Sequence, residues 1–292
     1  RTNRSNGSSS PLEVIKSAKR AGLDFIFLTD TDQFGQLENV SGYLDDVLVS
    51  SEGEYSFLDS RLLIYQLNSN TLALDEENAQ VQLTDLLSKS ISEKKDVLIV
   101  LASPFRRGQS WSGSYPTGLD GIEIVNPKVI SENAWIRSKL SVLWSFVIYP
   151  FNSRYAFLRL FKEPEEELAL FDNLSKERPT LAFSGADASA RAIPFANTLI
   201  KFPSYQSSFE ISQNHILLKS ELTGNYPKDR AKLLTALKAG NFYSSLDILG
   251  DPTGFSAVVE DEKTVYMMGE RAKVTKATRL KAKLPQEPRY YY

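Results

Sequence analysis

Apolar and polar positions along the chain alternate between a period near 3.6 and short apolar runs. This pattern predicts a mixed α/β protein. Val14, Ile15, Ala18 and Ala21 recur at helical spacing. Ser10 and Glu13 before them form a capping-box pattern, Pro11 suits the first turn, and Gly22 stops the helix. The run at 25–28 predicts a parallel strand buried on both faces, leaving a polar exit at 29–32. Residues 45–55 predict a strand running into an acidic turn at Glu52-Gly53-Glu54, and 61–67 predict a second strand. A helix over 83–93 places Leu83, Leu86, Leu87 and Ile91 on one face. Strands follow at 97–102 and 121–126, then helices at 131–146 and 155–161 around Tyr149-Pro150-Phe151. Pro164 opens a helix with Leu168, Phe171 and Leu174 as its buried stripe; Glu165, Glu166 and Glu167 suit the positive end of its dipole. Strands at 180–183 and 215–219 and a helix at 227–239, ended by Gly240, complete residues 1–250. Beyond Gly250-Asp251-Pro252 the pattern alternates at 255–259, 264–268 and 276–284. It predicts a small β appendage within 251–292, with a loose tail at 286–292.

Composition narrows the chemistry. The 292 residues are 42% hydrophobic and 24% charged, as in an ordinary globular protein of one large domain with a small addition. A net charge of −2 gives no global electrostatic case for nucleic acid or an anionic membrane. No run reaches the ~18 apolar residues of a membrane span. The nearest stretch, 143–161, is broken by Pro150, Asn152, Arg154 and Arg159. There are no cysteines, so thiolate chemistry and disulfides are excluded and the compartment is unreadable. His215 is the single histidine, which rules out a histidine-rich metal centre by counting alone. A lone histidine on an apolar strand reads as a packed or hydrogen-bonded residue.

The candidate chemistry lies at strand ends. Ser5-Asn6-Gly7 precedes the first helix, Thr29-Asp30-Thr31 and then Asp32 end the first strand, and Ser103-Pro104 follows the apolar strand. Asp120-Gly121-Ile122-Glu123 leads to Asn126, and Gly185-Ala186-Asp187-Ala188-Ser189 follows the strand at 180–183. Glu123 falls where it should face a barrel or its rim. Together with the segment 237–243, these motifs resemble, in order, those of the PHP superfamily (polymerase and histidinol phosphatase), in particular its carbaryl-hydrolase-like branch. That resemblance implies an α/β fold, a distorted (β/α)7 TIM-like barrel over residues 1–250, and a metal-dependent phosphoesterase site at the barrel mouth.

The ligand positions implied by the resemblance are mostly replaced. Arg1 stands at the second histidine of an opening pair, whose first member would lie upstream of residue 1. Asn6 stands for an aspartate. Thr31, Ser103 and Ser189 stand for histidines, and Arg61 falls where some relatives carry one. Glu54 and Asp187 survive as carboxylates. Alone they would hold Mg²⁺ or Mn²⁺ only loosely, so no cofactor is expected. An inward Arg1 would pair with Glu54 or Asp187 in place of a metal. The expectation is a PHP-like fold without hydrolase activity, a binding or structural module with room for a small anionic ligand at Arg1, Arg61 or Arg106. The rival is a hydrolase with a reduced metal site of Asp30, Asp32, Glu54 and Asp187. A third reading is an interaction protein using the loop at 106–118 or the appendage.

Overall fold

Ser10 Oγ accepts a hydrogen bond from the Glu13 N–H at 3.4 Å, and the Glu13 carboxylate accepts one from the Ser10 N–H at 3.1 Å. This capping box starts α1 (Pro11–Arg20). The computed structural model describes residues 1–32, 40–67, 74, 77–90, 93, 94, 96–195, 198–262 and 264–285, with 191–202 described for the backbone alone. After α1 come β1 (Phe25–Thr31), β2 (Gly42–Leu44), β3 (Val47–Phe57), β4 (Ser60–Gln66), α2 (Ala79–Ser88), β5 (Val97–Ala102) and β6 (Gly121–Val125). Four helices follow: α3 (Pro127–Arg137), α4 (Lys139–Ile148), α5 (Ser153–Leu158) and α6 (Glu165–Glu177). The chain continues through β7 (Leu181–Ser184), β8 (Arg191–Phe195), β9 (Thr198–Phe202), α7 (Tyr205–Phe209), β10 (Gln213–Ile216), α8 (Tyr226–Ala239) and β11 (Phe242–Ser245). It closes with β12 (Ser256–Asp261), β13 (Thr264–Tyr266) and β14 (Arg279–Lys283), an antiparallel three-stranded sheet.

The main sheet runs β1-β3-β4-β5-β6-β7 and curls as a half-barrel, with β2 added antiparallel to the start of β3. Asp45 and Asp46 join β2 to β3, both at positive φ, as a two-residue hairpin turn requires. The β1–β3, β5–β6 and β6–β7 pairs are parallel, whereas β4 is antiparallel to both its neighbours. β5 is apolar at every position because both faces are covered. Val97, Ile99 and Leu101 pack with Leu62, Ile64, Leu83 and Leu87 on one face. Leu98 and Val100 pack with Leu63, Tyr65, Phe183, Leu234 and Leu237 on the other. A third cluster seats α1 and α7 beside β1 and the start of β3.

Past β7 the ladder continues through side chains. The Asn214 amide donates to the Ser184 carbonyl at 2.7 Å, and its oxygen accepts from the Ser184 N–H at 3.0 Å. This fastens the β10–β11 hairpin to the sheet. At the end of the sheet where β5 begins, Lys94 and Asp120 form a buried ion pair at 2.8 Å, and the Ile99 N–H also donates to Asp120.

Several elements differ from the pattern reading. Glu52-Gly53-Glu54 is not an acidic turn but the middle of β3, with both glutamates buried. β3 is buried on both faces there, and its glutamates are tolerated inside because Arg230 pairs with Glu52 and Arg1 with Glu54. The helix expected over 131–146 is two helices that begin earlier. Ser138 is extended and its Oγ accepts from the Ser141 N–H, so it caps α4 instead of continuing α3. The helix expected at 83–93 occupies 79–88, with Leu83, Leu86 and Leu87 buried as expected; Ile91 lies outside the described residues. In α6 the buried stripe is Leu170 and Leu174, with Leu168 and Phe171 half-buried. The hairpins β2–β3 and β8–β9 and helix α7 carried no recognised signal. Residues 256–261, 264–266 and 279–283 do form strands, and the tail at 286–292 lies outside the described residues.

Candidate functional site

The C-terminal ends of β1, β5, β6 and β7 share one rim with the β3–β4 turn, because the register sets Thr31 beside Glu54, Ser56 beside Arg61, and Arg61 beside Ala102. Three residues that leave this rim adopt left-handed backbone: Asp32 at φ 50°, Ser103 at 47° and Asp187 at 38°. Each costs about 1 kcal/mol or more, a concentration of strain typical of functional rims. A cavity of about 830 Å³ opens there and extends along β1 towards β10.

Arg1 is the centre of the rim. Its guanidinium, 8% exposed, bonds both Glu54 oxygens: Nε lies 3.1 Å from Oε2, and Nη2 contacts Oε1. The same Nε lies 3.4 Å from Asp187 Oδ1. Burial pulls the Arg1 pKa down, but Asp187 and Glu54 outweigh it and hold the charge. Burial also raises the Glu54 carboxyl against the pull of Arg1. Asp187 gathers two further cations on its other oxygen, Arg106 Nη1 and Lys128 Nζ, each at 3.6 Å. Arg106 and Lys128 lie beyond hydrogen-bonding distance of Asp187, and its buried Oδ1, although 3.4 Å from Arg1 Nε, accepts no hydrogen bond. Arg106 is steadied by a two-pronged contact with Glu132 at 3.0 and 2.7 Å. Burial lowers the pKa of Lys128.

Beside this network lies Glu123, fully enclosed. Its Oε2 accepts from the Ser103 N–H at 3.0 Å, the Ser103 hydroxyl at 2.7 Å and the Asn126 amide at 2.9 Å. A register irregularity between Glu123 and Val125 re-aims this part of β6. Burial, helped by the charges of Asp187 and Glu54, pushes its carboxyl up to about 7 against those hydrogen bonds. Its other oxygen occupies the space over Gly185, where any Cβ would sit 1.5 Å from Oε1.

Arg1, Glu54, Arg61, Ser103 and Asp187 therefore meet around one cavity, with Arg106. Arg61 pairs with Asp32 at 3.2 Å, and Asp32 also accepts from the Ser56 N–H and hydroxyl. Asp30, Thr31, Asn6 and Ser189 do not line that cavity. Asp30 is fully buried and organises the loop before α1: it accepts from the Thr2 N–H at 2.5 Å, the Thr2 hydroxyl at 2.7 Å and the Ser5 hydroxyl at 2.6 Å. Asn6 is exposed and Thr31 half-buried. The Ser189 carbonyl lies 3.0 Å from the Tyr205 hydroxyl, which also meets the Arg1 carbonyl at 2.9 Å. Of the basic pair, Arg106 faces the cavity and Arg107 is exposed.

Sequence reasoning missed Lys128. Its signal was its place in the first turn of a helix directly after a rim strand. It also missed the far end of the cavity; His215 there is hydrogen-bonded, as expected, but half-buried and not in a core. His215 Nε2 lies 3.3 Å from the Asp247 carboxylate, its ring stacks on Tyr243, and Arg154 joins the same lining. Among the described residues no group of three or more histidine, aspartate or glutamate side chains is placed to hold a metal ion.

No family model matches the chain, and no curated protein matches it. Among solved structures it is similar to the crystal structure of PsfC from Pseudomonas syringae PB-5123, at 12% identity, over 80% of this chain and 81% of that one, with a TM-score of 0.43. A likeness of that degree bears on neither family nor activity.

Proposed function

We propose that this chain is a degenerate PHP-type protein, a distorted (β/α)7 TIM-like barrel with a C-terminal β appendage, that binds a small anionic ligand at its mouth instead of hydrolysing one. The observation that carries this reading is the Arg1 guanidinium set between Glu54 and Asp187. A fixed cation there competes directly with a metal, and the donor set does not suit one. The neighbouring hydroxyl of Ser103 is neutral, and burial raises the Glu123 carboxyl to about 7. Four arginines line the cavity: Arg1, Arg61, Arg106 and Arg154. Their planar forks match carboxylate and phosphate groups. Lys128 adds a cation 3.6 Å from Asp187, a carboxylate it shares with Arg1 and Arg106. Nothing in the charge distribution calls for nucleic acid.

The alternative, a reduced site in which Glu54 and Asp187 hold Mg²⁺ or Mn²⁺, requires Arg1 to withdraw from both carboxylates. One pair of experiments separates the two. Titrated inorganic phosphate should raise the melting temperature of the protein, since a ligand that binds only the folded state stabilises it. Arg106→Gln should weaken that effect roughly tenfold, the loss of one charge-assisted contact. Hydrolysis of a phosphodiester with added Mn²⁺ should stay at background. Mn²⁺-dependent hydrolysis that Asp187→Ala abolishes would overturn the reading.

A further inference from the structure

The helical layer α3–α5 is built inside out. On α4, Leu140, Leu143, Trp144 and Val147 recur at i, i+3, i+4 and i+7, the spacing of a core-facing stripe. Yet that stripe faces solvent: Leu140 is 80% exposed, Trp144 55% and Val147 56%. The side turned inward carries Val142 and Ser145. The stripe continues through Phe151, 89% exposed, in the α4–α5 turn, and through Tyr155 on α5. Trp135 and Ile136 at the end of α3 extend it on the other side. A contiguous exposed apolar and aromatic face of this kind marks a surface that meets something other than water.

The charge around it selects the partner. From residue 134 to 162 the chain carries Arg137, Lys139, Arg154, Arg159 and Lys162 and no acidic residue, although the whole protein is slightly negative. Arg137, Lys139 and Arg159 are exposed, as is Lys162, which pairs with Glu165 at 3.3 Å; Arg154 is set apart from them, its Nε donating to the Ile248 carbonyl and its side chain lining the rim cavity. Lys139 lies over the Trp135 ring and Arg159 over the Tyr155 ring, each 5.9 Å from the centroid. Long cationic side chains lying along aromatic rings at the edge of an apolar face are the arrangement of a helix lying in a bilayer interface, with its charges among the headgroups. Tryptophan and tyrosine suit that depth because each ring is apolar with one polar atom. Among the described residues no helix is long and apolar enough to cross a membrane, so the contact would lie on the surface.

We propose that the α3–α5 face docks on an anionic lipid surface, inserting Leu143, Trp144, Val147 and Phe151 among the acyl chains while the basic residues meet lipid phosphates. This does not depend on the reading of the rim cavity. The test is flotation of the full chain with phosphatidylcholine vesicles with and without about one-third phosphatidylglycerol. Trp fluorescence and sedimentation velocity are read alongside. Binding at least about tenfold stronger to the anionic vesicles, weakened by salt and accompanied by a blue shift, is expected from several basic contacts. Trp144→Ser with Val147→Ser should abolish it while the circular dichroism stays that of the parent. Leu280→Ser, which removes an equally exposed apolar side chain from β14, should leave it unchanged. Absence of vesicle binding overturns the proposal, whether the protein sediments as a monomer or as a dimer that Trp144→Ser with Val147→Ser dissociates. Binding that survives those two substitutions overturns it as well.

Discussion

Glu123 sits where a buried carboxyl meets three donors on one oxygen and glycine backbone on the other side. Its folded pKa of about 7 stands above the ordinary 4.5 of a glutamate. The folded state therefore binds the proton more tightly than the unfolded chain. The stabilisation is fully present below pH 4.5 and is lost as pH rises through 7. The span is worth roughly 3 kcal/mol. Glu123→Gln should flatten the fall in melting temperature over that window and leave the variant more stable than the parent at pH 8. A profile unchanged by the substitution would show that Glu123 is not the titrating group. At this scale the sequence was a partial guide. Glu54, Asp187 and Arg61 were expected at the rim as positions next to strand ends; Asp187 does follow β7, whereas Glu54 and Arg61 lie within β3 and β4 near the turn that joins them. Asp30 lies on the same strand end but turns away, since the Thr2 and Ser5 donors that claim it lie 28 and 25 residues earlier. No spacing rule anticipates such a contact. The pairing of Arg1 with Glu54 or Asp187 was an expectation of the family resemblance, which set Arg1 at a lost histidine beside two surviving carboxylates; the fold brings Arg1 to both.

Among the elements, those with strong local signals were readable. α1 had a cap, a proline and a glycine stop, and α8 ends on Gly240 in the left-handed conformation. β5 was readable because a six-residue apolar run rich in β-branched side chains is too short for a buried helix and suits a strand covered on both faces. The elements that escaped are the β2–β3 and β8–β9 hairpins and α7; α7 depends on α1, a partner distant in sequence. The strand expected at 215–219 is β10 at 213–216, half-buried along its length, paired with β11 and joined to β7 through the Asn214 amide, which takes the place of a backbone rung. Asn214→Ala should leave the Ser184 N–H and C=O without these partners, costing about 1–3 kcal/mol. Amide hydrogen exchange should quicken in β10 and β11 while the β5–β6 core stays protected, a local and not a global loosening. The broken helix at Ser138 shows the complementary limit. The hydrophobic period runs on through the break, and only the serine's preference for a cap position marks it.

Across the whole molecule, charge is sunk into the fold away from the rim as well, in two buried ion pairs above all. Arg230 on α8 reaches Glu52 on β3 at 2.6 Å, and Lys94 reaches Asp120 at the opposite end of the sheet from the rim. Removing one partner strands the other, so Lys94→Met should lower the unfolding free energy by about 3–5 kcal/mol. Lys94→Met with Asp120→Leu should recover most of it, and chemical denaturation of the three proteins measures the difference. Asp120 belongs to a rim-like motif in the sequence yet lies at the far end, bracing β5. The same β5 has a second aspect. Val-Leu-Ile-Val-Leu-Ala is a six-residue segment of high β-propensity without a charge, flanked by Lys94 and Asp96 before it and Pro104 after it. Enclosed, it holds two cores together; released, it can pair with the same segment of another copy. Heating this protein past its transition should therefore end in precipitation instead of reversible refolding, with β5 as the seed.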